Sequence, residues 1–157
     1  PPSERVNNQY VTASSESGKT STVSLKYSFN PPPHVMYDTL LDTDRIRGAT
    51  ASDATMSKDV GGKFVMFSGA VEGTNLALEP YDAAAGSATI KWQWRFNTWQ
   101  PGAFSEVTIV LSDKDGSTAL ELTQTGVPED ELERTEKGWK GLLFDRLKAM
   151  LGGSVMF

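Results

Sequence analysis

The chain has 157 residues, no cysteine, a single histidine and a formal net charge of −5. A domain of that length buries roughly 70% of its unfolded surface and needs no covalent or metal staple, and the missing cysteines exclude disulfides, thiolate zinc sites and a cysteine nucleophile while fitting a reducing, cytoplasmic setting. No run approaches the roughly 18 apolar residues of a membrane span, the N-terminus lacks the apolar region of a signal peptide, and the acidic balance argues against nucleic acid or an anionic membrane as the main partner.

Taken in order, residues 1–20 are rich in Ser, Asn and Thr, lack periodicity, and are expected to form a flexible tail or linker; the initial Pro1 fits an excised domain. Residues 21–157 are expected to form one domain. Val23, Leu25, Tyr27 and Phe29 alternate with polar neighbours, which predicts a half-buried first strand. Three prolines end it, and Pro33 opens a short helix carrying Val35, Met36, Leu40 and Leu41. A second short helix is expected at Asp42 to Arg47, ended by Gly48, and a short edge strand within Ala49 to Lys58. Gly61-Gly62 signals a turn, followed by strands at Lys63 to Phe67 and Ala70 to Tyr81.

The clearest strand is Ala88 to Phe96. Ile90, Trp92, Trp94 and Phe96 face one side, and Thr89, Lys91, Gln93 and Arg95 face the other. Trp99 falls in the loop beyond it, beside Gln100, Pro101 and Gly102, where an indole is hard to place in a core. Val107, Ile109 and Leu111 give the next strand, Asp113 to Gly116 the turn, and Ala119 to Thr125 the return. Then the period changes. Pro128 stops the sheet, carboxylates fill a first helical turn where the helix dipole favours them, and Leu132, Thr135, Trp139, Leu142, Leu143, Arg146 or Leu147, and Met150 mark one face of a helix of about twenty residues. Gly138 and Gly141 sit inside this helix, an arrangement that suits close approach to the sheet. The whole reads as an α+β, helix-grip fold: a curved antiparallel sheet of six to seven strands around a long C-terminal helix, with two short helices after strand one.

Chemistry is sparsely marked. His34 sits among prolines, where a surface or capping role suffices, and no G-x-S-x-G accompanies it. Asp113-x-Asp115 lacks the glycine of a calcium loop, since Thr118 stands at its sixth position, so it reads as a hairpin turn. The acidic group Glu129, Asp130, Glu131 and Glu133 is explained by its place at a helix start. No catalytic residue, metal site or cofactor is expected. Phe67, Trp92, Trp94 and Trp139 read first as core and second as the lining of a cavity for an apolar ligand.

The succession Val60-Gly-Gly-Lys-Phe64, then Trp94-Arg-Phe96 with Trp99 and Ser105, then Leu122-x-Gln124-x-Gly-Val-Pro128, and finally Glu136-x-Gly138-Trp139 resembles the C-terminal domain of the activator of heat shock protein 90 ATPase family, over about Ser21 to Leu151. The resemblance implies the helix-grip fold shared with START and polyketide-cyclase-like proteins. It also implies a cochaperone rather than an enzyme, one that binds the N-terminal domains of the heat shock protein 90 dimer and helps stimulate its ATPase by favouring the closed state. The family's N-terminal domain has no counterpart in these residues. Expected contact residues, chosen for exposure, are Trp99, Gln100, Pro101, Arg95, Lys137 and Lys140. The competing reading is a hydrophobic-ligand carrier or cyclase-like protein using the cavity.

Overall fold

The computed structural model describes residues 19–151; the expected tail at 1–20 falls almost wholly outside them, as do Val155, Met156 and Phe157. The elements are β1 (Thr20–Phe29), α1 (Pro33–Leu40), α2 (Thr43–Thr50), β2 (Lys63–Met66), β3 (Val71–Asp82), β4 (Ser87–Phe96), β5 (Ser105–Lys114) and β6 (Ser117–Pro128). A short 3₁₀ turn, Glu129–Glu131, then leads into the terminal helix: α3 (Leu132–Lys137), a π-wound stretch (Gly138–Phe144) and α4 (Asp145–Leu151). The six strands form one sheet in the order β1-β6-β5-β4-β3-β2, each neighbour antiparallel. Strands β2 to β6 follow one another by short turns, and β1 crosses over to pair with β6, Leu25 opposite Leu122. Among the described residues no helix is long and apolar enough to cross a membrane.

Alternation accounts for the sheet. Val23, Leu25 and Phe29 of β1, Ile90, Trp92 and Trp94 of β4, Val107, Ile109 and Leu111 of β5, and Leu120 and Leu122 of β6 are all buried. They form one core with Trp139, Leu143, Phe144 and Leu147 of the terminal helix. The two short helices close one end, contributing Met36, Leu40 and Ile46 to that core. Pro33 begins α1, and the Asp42 carboxylate accepts the Arg45 N–H at 2.9 Å to cap α2, as a side-chain oxygen at that position does for an orphan amide.

Two local expectations change. Gly48 does not end α2, which continues to Thr50 and stops where Ala51 turns left-handed, φ 55°. The edge strand sought in Ala49 to Lys58 reduces to a single bridge, Thr55 to Val65, because β2 is itself only four residues long and offers little ladder to extend. β2 is cut short by Phe67 and Ser68, both at positive φ, 55° and 56°.

Gly73 of β3 lies opposite Trp94, where a Cβ would overlap the Gln93 carbonyl oxygen and the Phe64 ring. Neither backbone nor a buried ring can step aside. Gly73→Ala is therefore expected to destabilise the fold by at least about 1–3 kcal/mol, the cost of overpacking, read as a lowered denaturation midpoint.

Tyr27 packs on Phe144, ring centroids 5.1 Å apart, and its hydroxyl donates to Asp145 at 3.3 Å. Burial first, and then the Asp145 charge and hydrogen bond, push its pKa up from 10.0 to about 12. A raised folded pKa means that the native chain holds this proton longer than the unfolded chain. Its contribution to stability is whole below pH 10.0 and is lost as pH rises through about 12. Ultraviolet titration should show late tyrosinate ionisation, to which Tyr37, also raised by burial and then by the charges of Asp38 and Glu79, contributes, and Tyr27→Phe should remove the Tyr27 component.

Candidate functional site

The four tryptophans come together. Trp139 of the terminal helix stacks against Trp92 at 6.4 Å and 9°, and against Trp94 at 5.4 Å and 30°. Its other neighbour is Phe144, at 5.6 Å and 15°. Trp92 and Trp94 are thus the sheet's grip on the helix, as their inward positions predicted. Beneath the rings runs a buried polar chain: Trp139 Nε1–H donates to Gln124 Oε1 at 2.7 Å, Gln124 Nε2–H to Ser105 Oγ at 2.8 Å, and Ser105 Oγ–H to the Trp94 carbonyl at 2.8 Å. Gln124 is fully buried and Ser105 nearly so. The conjunction links the π-wound stretch, β6, β5 and β4 in one line, and it joins three of the four sequence motifs, which stand far apart in the chain.

Trp99 corrects an expectation. It is 3% exposed, meets Trp94 and Phe96 edge to face at 5.8 and 6.1 Å, and its Nε1–H donates to Glu131 at 3.3 Å. The indole folds back over the sheet because these rings and one carboxylate satisfy both its apolar body and its polar edge. Arg95, also chosen for exposure, is 9% exposed. Its Nη1 pairs with Glu72 at 2.6 Å, its Nε–H donates to the Ala103 carbonyl at 3.2 Å, and its Nη2 serves the carbonyls of Trp99 and Gln100. It lies 5.6 Å from the Phe104 ring centroid. A planar fork with several donors is suited to holding a loop in this way, so Arg95 shapes residues 97–104. Pro101, Lys137 and Lys140 are exposed and Gln100 is half-buried.

The loop is joined to the terminal helix by Arg134, which donates to Thr98 and to Glu131 at 3.1 Å each and lies 3.9 Å over the Phe96 ring. The acidic helix start thus has specific work: Glu131 accepts from both Trp99 and Arg134. Lys137 and Lys140 pair with Glu133 and Glu136 one turn back, on solvent-facing positions where such pairs contribute little.

Beside this joint a groove of about 670 Å³ lies between the turn after β2, the end of β4 and the terminal helix. Phe67, Trp94 and Trp139 line it; Trp92 does not, being wholly covered in the core. Met66, Ala70, Val71, Phe96 and Leu142 complete the apolar wall and were not anticipated. Leu142 was placed in the core by a 3.6-residue period, yet it is 46% exposed, as is Met150, while Phe144 is fully buried. Apart from Phe144, the buried residues run Thr135, Trp139, Leu143, Leu147, one residue in four. A regular α-helix would turn that set by about 40° per step. The π-wound stretch absorbs the drift and keeps the set facing the sheet.

Gly138 and Gly141 fall in that stretch, and a Cβ on either would meet no atom within 4 Å. They do not permit closer packing; the space beside them is open. Gly138→Ala is expected to stabilise the helix by about 1 kcal/mol, the propensity difference, measured by denaturant titration. Among the described residues no cluster of three or more His, Cys, Asp or Glu is arranged to hold a metal ion.

The family model described as "Activator of Hsp90 ATPase homolog 1-like protein" matches residues 30–152. The chain belongs to this family. It is 39% identical over 130 residues to the activator of 90 kDa heat shock protein ATPase homolog of Dictyostelium discoideum, covering 82% of this chain and 32% of that one. Homolog 1 of Homo sapiens is 33% identical over 133 residues, 85% of this chain and 38% of its own. The chain thus spans about a third of the length of these relatives. A solved HSP90 activator from Plasmodium falciparum superposes with a TM-score of 0.76 at 26% identity, over 85% of this chain and 97% of that one. The Trp, Gln and Ser residues of the sequence motifs form, in this chain, the buried line just described.

Proposed function

We propose that this domain is a cochaperone module that binds the N-terminal domains of heat shock protein 90 and helps stimulate its ATP hydrolysis by favouring the closed state. The observation that carries this reading is the family match across residues 30–152, reinforced by relatives that are named as activators of that ATPase. The domain supplies no catalytic group in this scheme. Its differential affinity for the closed chaperone shifts a population, and the chaperone performs the hydrolysis.

The proposed contact surface is the loop at 97–104 with the adjacent face of the terminal helix. Pro101 and Gln100 meet the partner, while Arg95 and Trp99 hold the loop's shape from beneath. Lys137 and Lys140 present positive charge to an acidic partner surface and steer the encounter. A single module holding one half of a two-site clamp binds more weakly than the linked pair.

Titrating the 157-residue chain into purified heat shock protein 90, alone and fused to the N-terminal domain of a full-length relative, should give measurable binding for both and a larger ATPase stimulation for the fusion. Lys140→Glu should weaken binding roughly threefold or more at low salt. Absence of binding and of stimulation in both forms would overturn the reading.

A further inference from the structure

The loop at 97–104 ends on Phe104, a residue without a part in that scheme. Pro101, Gly102, Ala103 and Phe104 follow one another with no polar side chain, and all but the half-buried Ala103 are exposed. An exposed apolar run of this length is unfavourable unless something binds it. Phe104 is 42% exposed, and among the described residues it is the one exposed aromatic side chain. The other described rings are buried or half-buried.

The backbone beneath the ring is fixed on both sides. Gln100-Pro101-Gly102-Ala103 has the marks of a type II turn: Gly102 stands at φ 84°, the Ala103 N–H donates to the Gln100 carbonyl at 2.9 Å, and Pro and Gly occupy the two central positions that suit them. The Ala103 carbonyl accepts from Arg95 Nε–H. Ser105, which follows Phe104, is tied by its hydroxyl to the Trp94 carbonyl and to Gln124. The ring lies 5.6 Å from the Arg95 guanidinium, on the side of the sheet away from the terminal helix, since Arg95 alternates with the inward Trp94. A side chain presented on a rigid backbone loses little freedom when it binds, and aromatic residues are prominent among those that carry binding energy.

We propose that Phe104 is the anchor of the chaperone contact: its ring enters an apolar recess on an N-terminal domain of heat shock protein 90 and sets the lifetime of the complex. This anchor depends on the cochaperone reading, and the two parts of the contact then do different work. Lys137 and Lys140 steer the encounter and act on the association rate; the ring acts on the dissociation rate, where most affinity differences lie. A second copy of this chain is a poorer occupant. One turn and one ring fall far short of the roughly 800 Å² per partner that a stable dimer buries, and two chains of net charge −5 repel each other. In the cochaperone scheme, by contrast, the chaperone already meets the same loop at Gln100 and Pro101.

The test immobilises the 157-residue chain and follows purified heat shock protein 90, with a non-hydrolysable ATP analogue, by surface plasmon resonance. Phe104→Ala should dissociate at least roughly tenfold faster and associate within about twofold of the unaltered chain, the signature of a lost anchor. Its melting temperature should fall by no more than about 4 °C. Lys140→Glu should show the reverse, slower association with little change in dissociation. Phe104→Leu keeps an apolar side chain and should fall between; it serves alone if Phe104→Ala does not fold. If the unaltered chain does not bind, the cochaperone reading fails and the anchor with it. If it binds, then Phe104→Ala dissociating like the unaltered chain, a change confined to association, or light scattering that shows Phe104-dependent self-association would each overturn the anchor alone.

Discussion

Gln124→Ala should cost about 3–5 kcal/mol of folding free energy, and with it some 6–20 °C of melting temperature for a domain of this size. The amide is the middle link of the chain from Trp139 Nε1 through Ser105 Oγ to the Trp94 carbonyl, with each step between 2.7 and 2.8 Å. Removing it strands the indole N–H and a hydroxyl lone pair in a site that water does not reach, at about 1–3 kcal/mol each, and leaves a void where the side chain packed. Differential scanning calorimetry of Gln124→Ala, Trp139→Phe and the double variant measures the coupling. Trp139→Phe alone leaves Gln124 Oε1 unpaired. The double loss should therefore be clearly smaller than the sum of the single ones, as for any contacting pair.

Arg95→Ala should cost about 2–4 kcal/mol, chiefly because the carbonyls of Trp99, Gln100 and Ala103 lose their donor, while Glu72, with its side chain 45% exposed, returns to water. The guanidinium serves Glu72 and three backbone carbonyls at once, so its loss frees the whole 97–104 loop. Hydrogen exchange should report this locally. The amides of Trp99 and Ala103, bonded to Phe96 and Gln100, should lose protection before those of β5. Arg95→Lys should rescue little, because one ammonium cannot span the positions that a planar fork reaches. If the loop is the chaperone contact, both variants should also lose affinity beyond their loss of stability.

These two residues mark where the sequence is readable. Gln124 shares the parity of Leu120 and Leu122, an inward position that the reading of Ala119 to Thr125 as a strand did not single out. Its donor, Trp139, lies fifteen residues on across a change of secondary structure, and no period connects them. Arg95 followed the outward set of β4, and its direction is correct; it is covered because the chain returns over it, a tertiary event that local pattern does not encode. Trp99 was misjudged for the same reason. The composition around it marks a turn, but its carboxylate partner, Glu131, lies 32 residues later in the 3₁₀ turn that leads into the terminal helix. The strands and the long helix were legible because period two and a helical stripe are properties of neighbouring residues. The π winding was not, since it appears only as a drift of the buried set from 3.6 toward four.

The pairing of the first strand with the last orders the molecule's birth. Phe29 lies opposite Thr118, and closing a loop of about ninety residues costs roughly 4 kcal/mol of chain entropy before any contact repays it. On the ribosome, β1 emerges first and waits for β6 with Val23, Leu25 and Phe29 uncovered and its edge unpaired, while β2 to β6 assemble through short hairpins. The strand that completes the sheet is also the one exposed longest, and until Pro128 has cleared the exit tunnel the nascent domain carries an aggregation-prone edge of its own.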